Sequence, residues 1–230
     1  MSDNQDRARS AVVLLSGGLD SATVAAGLRR EGWLVHALTV DYGQRHGAEL
    51  NAARFLAREL DLQEHCVVQV GLHAFGGSAL TDFAIPVPKT ADPFAPVSTD
   101  IPTTYVPARN LVLLSLAVSF AEARGADAVA LGVNALDYSG YPDCRPEFVS
   151  AFAEAARLGT RCGSEGRGLS LLTPLQHLTK TQILARAHEL GVPVERTISC
   201  YDPDSAGAAC GHCDACRLRS RAEREWRGKA

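Results

Sequence analysis

Six residues near the N-terminus, Ser16-Gly17-Gly18-Leu19-Asp20-Ser21, have the types and spacing to hold a phosphate group. The glycines let the backbone approach an anion where a Cβ would intrude. Ser16 and Ser21 add hydroxyl donors, and Ser21 is also suited to cap a helix. An apolar run at 11–15 precedes them and an alanine-rich stretch at 22–30 follows. That order reads as strand, glycine turn and helix start, so backbone N–H groups and the positive end of a helix dipole converge on one spot. Asp20 beside such a nest makes sense with a divalent cation between carboxylate and phosphate. The glycine spacing and lysine of a Walker A loop are missing, so no γ-phosphate transfer is predicted. The plain alternative is a capped strand–helix turn with no ligand.

A second constellation lies near the C-terminus. Cys200, Cys210, Cys213 and Cys216 form C-x9-C-x2-C-x2-C, apart from the scattered Cys66, Cys144 and Cys162. Two residues between cysteines let both thiolates turn onto one centre, and four thiolates without a further ligand describe a closed, structural tetrahedral zinc site. An iron–sulfur cluster and a redox pair use similar spacings. Zinc is favoured over the former because the run lacks the downstream cysteine and proline of ferredoxin-type motifs.

Other candidates are single residues or short strings. The segment 132–146 concentrates polar and aromatic groups after an apolar strand. There Tyr138 and Tyr141 could stack on a heterocycle. Asp137 and Asp143 could accept paired hydrogen bonds from adjacent N–H donors, and Arg145 could grip a carboxylate. A turn-rich surface loop is the alternative reading. Asp41 closes a second apolar run and is followed by Arg45 and His46, both able to contact phosphate; Arg109 and Asn110 open a helical pattern, where an anion or ribose would be favoured. Lys180 follows a candidate cap, Thr179. A lysine there can neutralise charge at phosphorus or on departing pyrophosphate.

The elements that must position these groups alternate. Strands are predicted at 11–15, 34–40, 66–70, 128–131 and 169–172, and helices at 21–31, 48–60, 110–124, 147–158 and 179–190. Short apolar strands alternating with amphipathic helices argue for an α/β fold around a mainly parallel, five-stranded sheet. Ligands bind such sheets beyond the carboxyl ends of the strands, where residues 16–21 and Asp41 should lie. Residues 71–107 break the pattern with Pro86, Pro88, Pro93, Pro96, Pro102 and Pro107. A connection of that length is read as an active-site flap or an oligomer contact. Residues 10–192 are taken as the α/β body, and 193–230 as a metal-bearing extension packed on it.

Composition bounds the partners. A formal net charge of −3 gives no electrostatic case for a stable nucleic-acid partner. The arginines after Cys216 face Glu223 and Glu225, which reads as a solvated, ion-paired terminal helix. No apolar stretch is long enough to span a bilayer, and the first ten residues do not resemble a signal peptide. A cytoplasmic protein without membrane partners is expected.

The loop at 16–21 resembles the SGGxDS pyrophosphate loop of the N-type ATP pyrophosphatases. Further strings resemble one family within them, the 7-cyano-7-deazaguanine synthases of queuosine biosynthesis. They are DYGQRH at 41–46, YVPARN at 105–110, GVNALDYSGYPDCRPEF at 132–148, LTKTQI at 178–183, and SCY at 199–201 with CGHCDAC at 210–216. The resemblance runs from about residue 11 to residue 219, and the long string at 132–148 is its most specific part.

That resemblance implies a C–N bond-forming ligase on a pyrophosphatase-loop α/β fold. Its substrates would be 7-carboxy-7-deazaguanine, ATP and ammonium, and its product a nitrile formed through adenylated acid and amide. ATP would be bound by Ser16, Gly17, Gly18, Leu19, Asp20, Ser21, Ala22 and Thr23 with Asp41, Arg109 and Asn110. Asp20 and Lys180 would be catalytic. Asp137, Tyr138, Tyr141, Asp143 and Arg145 would read the deazaguanine. Magnesium would accompany ATP, and one structural zinc per chain would sit on Cys200, Cys210, Cys213 and Cys216. A homodimer is the protein partnership considered. A tRNA thiolase of the same superfamily, a zinc-ribbon nucleic-acid-binding module and deazaguanine-processing relatives in DNA modification or defence are the alternatives.

Overall fold

The computed structural model describes residues 7–92, 100–134 and 140–228. Five strands form one fully parallel sheet in the order β3-β2-β1-β4-β5. They are β1 (Ser10–Leu14), β2 (Leu34–Asp41), β3 (Glu64–Gln69), β4 (Ala128–Ala130) and β5 (Ser170–Leu172). All five strands expected from the apolar runs are present, shifted by one or two residues at their ends. Central β1, Ser-Ala-Val-Val-Leu, is apolar on both faces because helices cover both faces of the sheet. Val12 packs with Leu114 and Ala117 of α3 (Arg109–Arg124). Ala11 and Val13 pack on the opposite side, with Val24 of α1 (Leu19–Arg30) and with Ile183 and Leu184 of α6 (Lys180–Glu189). Ile183, Leu184 and Leu114 are all but fully buried, each worth about 1.5–3 kcal/mol relative to exposure.

The path of the chain creates the site. From β1 it runs through α1 to β2, then through α2 (Ala48–Glu59) to β3 on the same side of β1. It next returns through α3 to β4 on the other side. The direction of winding reverses between β1 and β4, and a crevice opens beyond the carboxyl ends of strands at such a switch point. Segment 15–21 leaves β1 at that crevice and segment 131–134 leaves β4 beside it.

Two further helices, α4 (Pro146–Gly159) and the short α5 (Arg161–Ser164), precede β5. The last helix, α7 (Asp214–Arg227), departs from the expected solvated helix. It packs on α6, buries Ala215, Leu218 and Ala222, and stacks Trp226 on His188 at 4.1 Å. Its arginines do pair with acids, Arg217 with Asp214 and Arg219 with Glu223. Arg219 also donates to the carbonyls of Val194 and Thr197, so this stripe is a docking face as well as a charged one.

Candidate active site

The loop at 16–21 is built as its residue types require, with one change of role. The cap of α1 is Gly18, in extended backbone, and Leu19 starts the helix. Ser21 is therefore inside the first turn. Its hydroxyl donates to the Gly18 carbonyl at 3.1 Å, accepts from the Ser16 N–H at 3.1 Å, and lies 3.1 Å from the Ser16 hydroxyl. The serines lock the loop to itself. Gly17 has φ +85°, and a Cβ there would come within 2.3 Å of the Glu49 carbonyl and 2.9 Å of the Ala53 nitrogen. The first turn of α2 thus presses against the loop. On another side, the Ile198 N–H donates to the Gly17 carbonyl at 3.0 Å, so the C-terminal extension also braces it.

Across the crevice, Thr179 and Gln182 make a reciprocal capping box that fixes the start of α6, and Lys180 is its first residue. A lysine is electrostatically misplaced at a helix N-terminus, so local helix stability does not explain it. Its Nζ lies 2.8 and 2.7 Å from the two carboxylate oxygens of Asp20, and Lys180 is buried. Residues 160 apart in sequence meet at one point of the loop.

Between these elements lies a cavity of about 260 Å³. Ser16, Gly18, Leu19, Asp20, Ser21 and Lys180 line one end. Leu14, Leu38, Thr39, Val40, Leu131 and Gly132 form an apolar slot along the strand ends. Tyr42, Gln44, Glu49, Arg109, Tyr141, Ser199 and Tyr201 surround the remainder. Arg109 donates to the Tyr42 hydroxyl at 3.5 Å, while its Nε is buried without a partner among the described residues. The Tyr141 hydroxyl is 2.8 Å from that of Thr104. Burial pushes the Tyr42 phenol and the Glu49 carboxyl up, the latter to about 7, although Arg109 opposes both shifts. Burial likewise raises the Cys144 thiol, to about 12, which leaves it a poor nucleophile.

Several sequence-predicted residues do not line this cavity. Asp41 accepts from Gly43 and Gln69, bracing the turn that presents Tyr42. Ala22 and Thr23 are buried within α1, where Thr23 donates to the Leu19 carbonyl. Asn110 lies at the cavity wall, but its side chain donates to the Asp143 carbonyl and the Cys144 sulfur. The Asp143 carboxylate accepts from the Asn110 N–H at 3.0 Å. Asp143 thus satisfies an orphan donor at the start of α3, and it does not face the cavity. Arg145 is exposed ahead of α4 and is not among the residues that line the cavity. Arg45 and His46 border a separate, shallower depression with Phe83 and Lys89. Asp137 and Tyr138 lie outside the described residues.

Glu49, Thr39, Tyr42, Gln44, Ser199 and Tyr201 were not singled out from sequence, although most fall within or beside the motif strings. Glu49 had a usable signal, an acid in the first turn of the helix that follows the second strand.

The Sγ atoms of Cys200, Cys210, Cys213 and Cys216 all lie within 4.8 Å of one another. A tetrahedral Zn–S4 centre has S···S edges of about 3.8 Å, so the four sulfurs fit a metal ion with little movement. Backbone N–H groups of Asp202 and Cys210 point at the Cys200 sulfur, and that of Tyr201 at the Cys213 sulfur. Such donors stabilise thiolates.

In solved structures, a 4-thiouridine synthetase bound to RNA and ATP superposes with a TM-score of 0.53 at 20% identity, covering 95% of this chain and 53% of that one. The NMN synthetase of Francisella tularensis gives 0.50 at 20% identity, covering 97% and 79%. Both likenesses establish the fold, a parallel α/β sheet flanked by helices. In sequence, the 7-cyano-7-deazaguanine synthase of Thiobacillus denitrificans is 57% identical over 209 residues, 91% of each chain. That of Anaeromyxobacter dehalogenans is 56% identical over 219 residues, 95% of this chain and 93% of its own. The family model "Queuosine biosynthesis protein QueC" matches residues 10–227, and on that match the chain belongs to the QueC family.

Proposed function

We propose that this chain is an AMP-forming ligase that converts 7-carboxy-7-deazaguanine and ammonia to 7-cyano-7-deazaguanine with ATP. The observation that carries the reading is the Asp20–Lys180 pair at the end of a cavity built on the pyrophosphate loop, in a chain of this family.

A ring carboxylate cannot expel oxide, so its oxygen must first become a leaving group. Attack of that oxygen on the α-phosphorus of ATP gives an acyl-adenylate and pyrophosphate. Ammonia displaces AMP to form the amide. The amide oxygen is adenylated in turn, and loss of AMP and a proton leaves the nitrile. Both rounds need the same alignment of an oxygen against an α-phosphorus, so one cavity serves both.

In this reading residues 16–21 hold the β- and γ-phosphates through backbone N–H groups and hydroxyls, and Lys180 stabilises charge growing on the phosphorus oxygens. The apolar slot at the strand ends accepts the adenine. Tyr141, Tyr201 and Arg109 receive the deazaguanine, with Asp137 and Tyr138 contributing from their own segment. Asp143 acts from behind by fixing the start of α3. The hard oxygen donors of Asp20, beside the hydroxyls of Ser16 and Ser21, suit magnesium, which would offset phosphate charge when bound with ATP. The four cysteines would hold zinc and secure the extension against the loop. No helix of the described residues is long and apolar enough to cross a membrane. Reduced thiols at the cysteine site suit a cytoplasmic setting. Self-association to a homodimer is part of the reading and is read from sedimentation of the metal-loaded protein.

The test is a product assay with 7-carboxy-7-deazaguanine, MgATP and ammonium that follows AMP and nitrile together. Two AMP per nitrile support the double use of one site. No AMP release from folded, zinc-loaded protein overturns the assignment.

A further inference from the structure

The reaction above needs a group to take a proton from the incoming nitrogen, since ammonia is mostly ammonium near neutral pH and the cation has no lone pair. Asp20 and Lys180 neutralise each other, and Cys144 is a buried thiol tied to Asn110. Glu49 is differently placed. It stands in the first turn of α2, whose backbone presses on Gly17 of the phosphate loop, and it lines the same cavity as Ser16, Asp20 and Lys180. Among the described residues its carboxyl has no hydrogen-bond partner. Among the described residues, the titratable and charged groups that act on it are Tyr42, from the segment after β2, and Arg109, from α3. Neither forms a hydrogen bond with it.

We infer that Glu49 is the general base of the amidation step, drawing in ammonium and taking its proton beside the acyl-adenylate. This rests on the reaction proposed above. Ammonium gives one proton to a Glu49 oxygen. The freed lone pair forms the C–N bond at the acyl carbon, and the C–O bond to AMP breaks with its electron pair leaving on the AMP phosphate. A second proton passes from nitrogen to water, and Glu49 later returns its own to solvent. The carboxyl's elevated affinity for protons, from burial, matches it to work near neutrality.

The test separates the two halves of the reaction in the zinc-loaded protein. Adenylation of the acid needs no proton acceptor, and it is read as acid-dependent exchange of labelled pyrophosphate into ATP. Glu49→Gln should keep that exchange within roughly threefold of the parent and lose about 10²–10⁴-fold in amide formation from ammonium. Hydroxylamine, already unprotonated at neutral pH, should restore AMP release, with the hydroxamate as product. Glu49→Asp should recover part of the ammonium-dependent rate. Full ammonium turnover by Glu49→Gln overturns the inference, as does a parallel loss of exchange, which would make Glu49 a binding residue. Absence of exchange in the parent protein overturns the reaction itself, and this inference with it.

Discussion

Lys180 Nζ bridges both carboxylate oxygens of Asp20, at 2.8 and 2.7 Å, although the two residues stand on different helices. Each sits in the first turn of its helix, α6 and α1. The acid is favoured by its helix dipole and the lysine is opposed by its own. Helix stability therefore does not account for the lysine, and the pair stands at the loop to which the proposed function assigns phosphate.

Breaking the pair should cost stability asymmetrically. The Lys180 side chain is 10% exposed and that of Asp20 21%, so Asp20→Asn takes the carboxylate away from the more buried of the two charges. We expect Asp20→Asn to lower unfolding free energy by about 2–3 kcal/mol and Lys180→Met by less. The double variant should recover part of the loss. All three should be inactive, so stability and activity part company. Denaturant titration of the three variants against AMP release reads both, and additive losses in the double variant would deny the coupling.

Gly17 and Gly32 share a left-handed backbone, φ +85° and +84°, but not their surroundings. An alanine at Gly32 meets nothing within 4 Å, so it should cost only the conformational penalty of about 1 kcal/mol. At Gly17 it collides with backbone atoms of Glu49 and Ala53, which no rotamer can relieve. Gly17→Ala should lose about 3 kcal/mol or more and abolish ATP binding, while Gly32→Ala binds ATP normally. Thermal melts and ATP titration distinguish the two.

Much of this architecture was legible in the sequence because its signals are local. The five strands are short apolar runs, the Thr179 cap carries Gln182 three residues on, and the cysteine spacing already groups the four sulfurs. What stayed hidden depends on tertiary direction. Asp143 and Arg145 lie in a string rich in ligand-like chemistry, yet the former turns back to the Asn110 N–H and the latter is exposed and does not line the cavity. Nothing in residue type distinguishes a carboxylate that caps a neighbouring helix from one that reads a base. Ser21 lost its expected capping role because Gly18 adopts the extended backbone of a cap first. The docking of α7 through Arg219 was equally hidden, since an arginine stripe looks the same whether it meets water or carbonyls.

Glu49 makes the ligand-free protein less stable as pH rises. Its carboxyl is raised by burial from 4.5 to about 7, so the folded state holds a proton that the unfolded state has released. Its contribution is fully present below about 4.5 and is lost as pH climbs through about 7. In a dry site such a shift is worth up to about 3 kcal/mol; beside a solvent-filled cavity about 1–2 kcal/mol is expected. Glu49→Gln should match the parent near pH 4.5 and exceed it by that amount at pH 8. Equal stability at both pH values would mean that the carboxyl is not shifted.

Removing the metal should disable ATP binding as well as the extension. The segment 198–201 lines the cavity through Ile198, Ser199 and Tyr201, and the Ile198 N–H holds the Gly17 carbonyl. Cys200 interrupts that same segment and belongs to the four-sulfur cluster. Release of the ion leaves thiolates close together with no cation between them, and their repulsion should drag residues 198–201 off the loop. Cys213→Ala, or a strong chelator, should release one zinc per chain, lower the melting temperature and weaken ATP binding in parallel, because metal affinity and local folding are linked here. Re-addition of zinc to the chelated protein should restore both, while Cys213→Ala stays impaired. Metal release with ATP affinity unchanged would show that the loop keeps its shape without the extension.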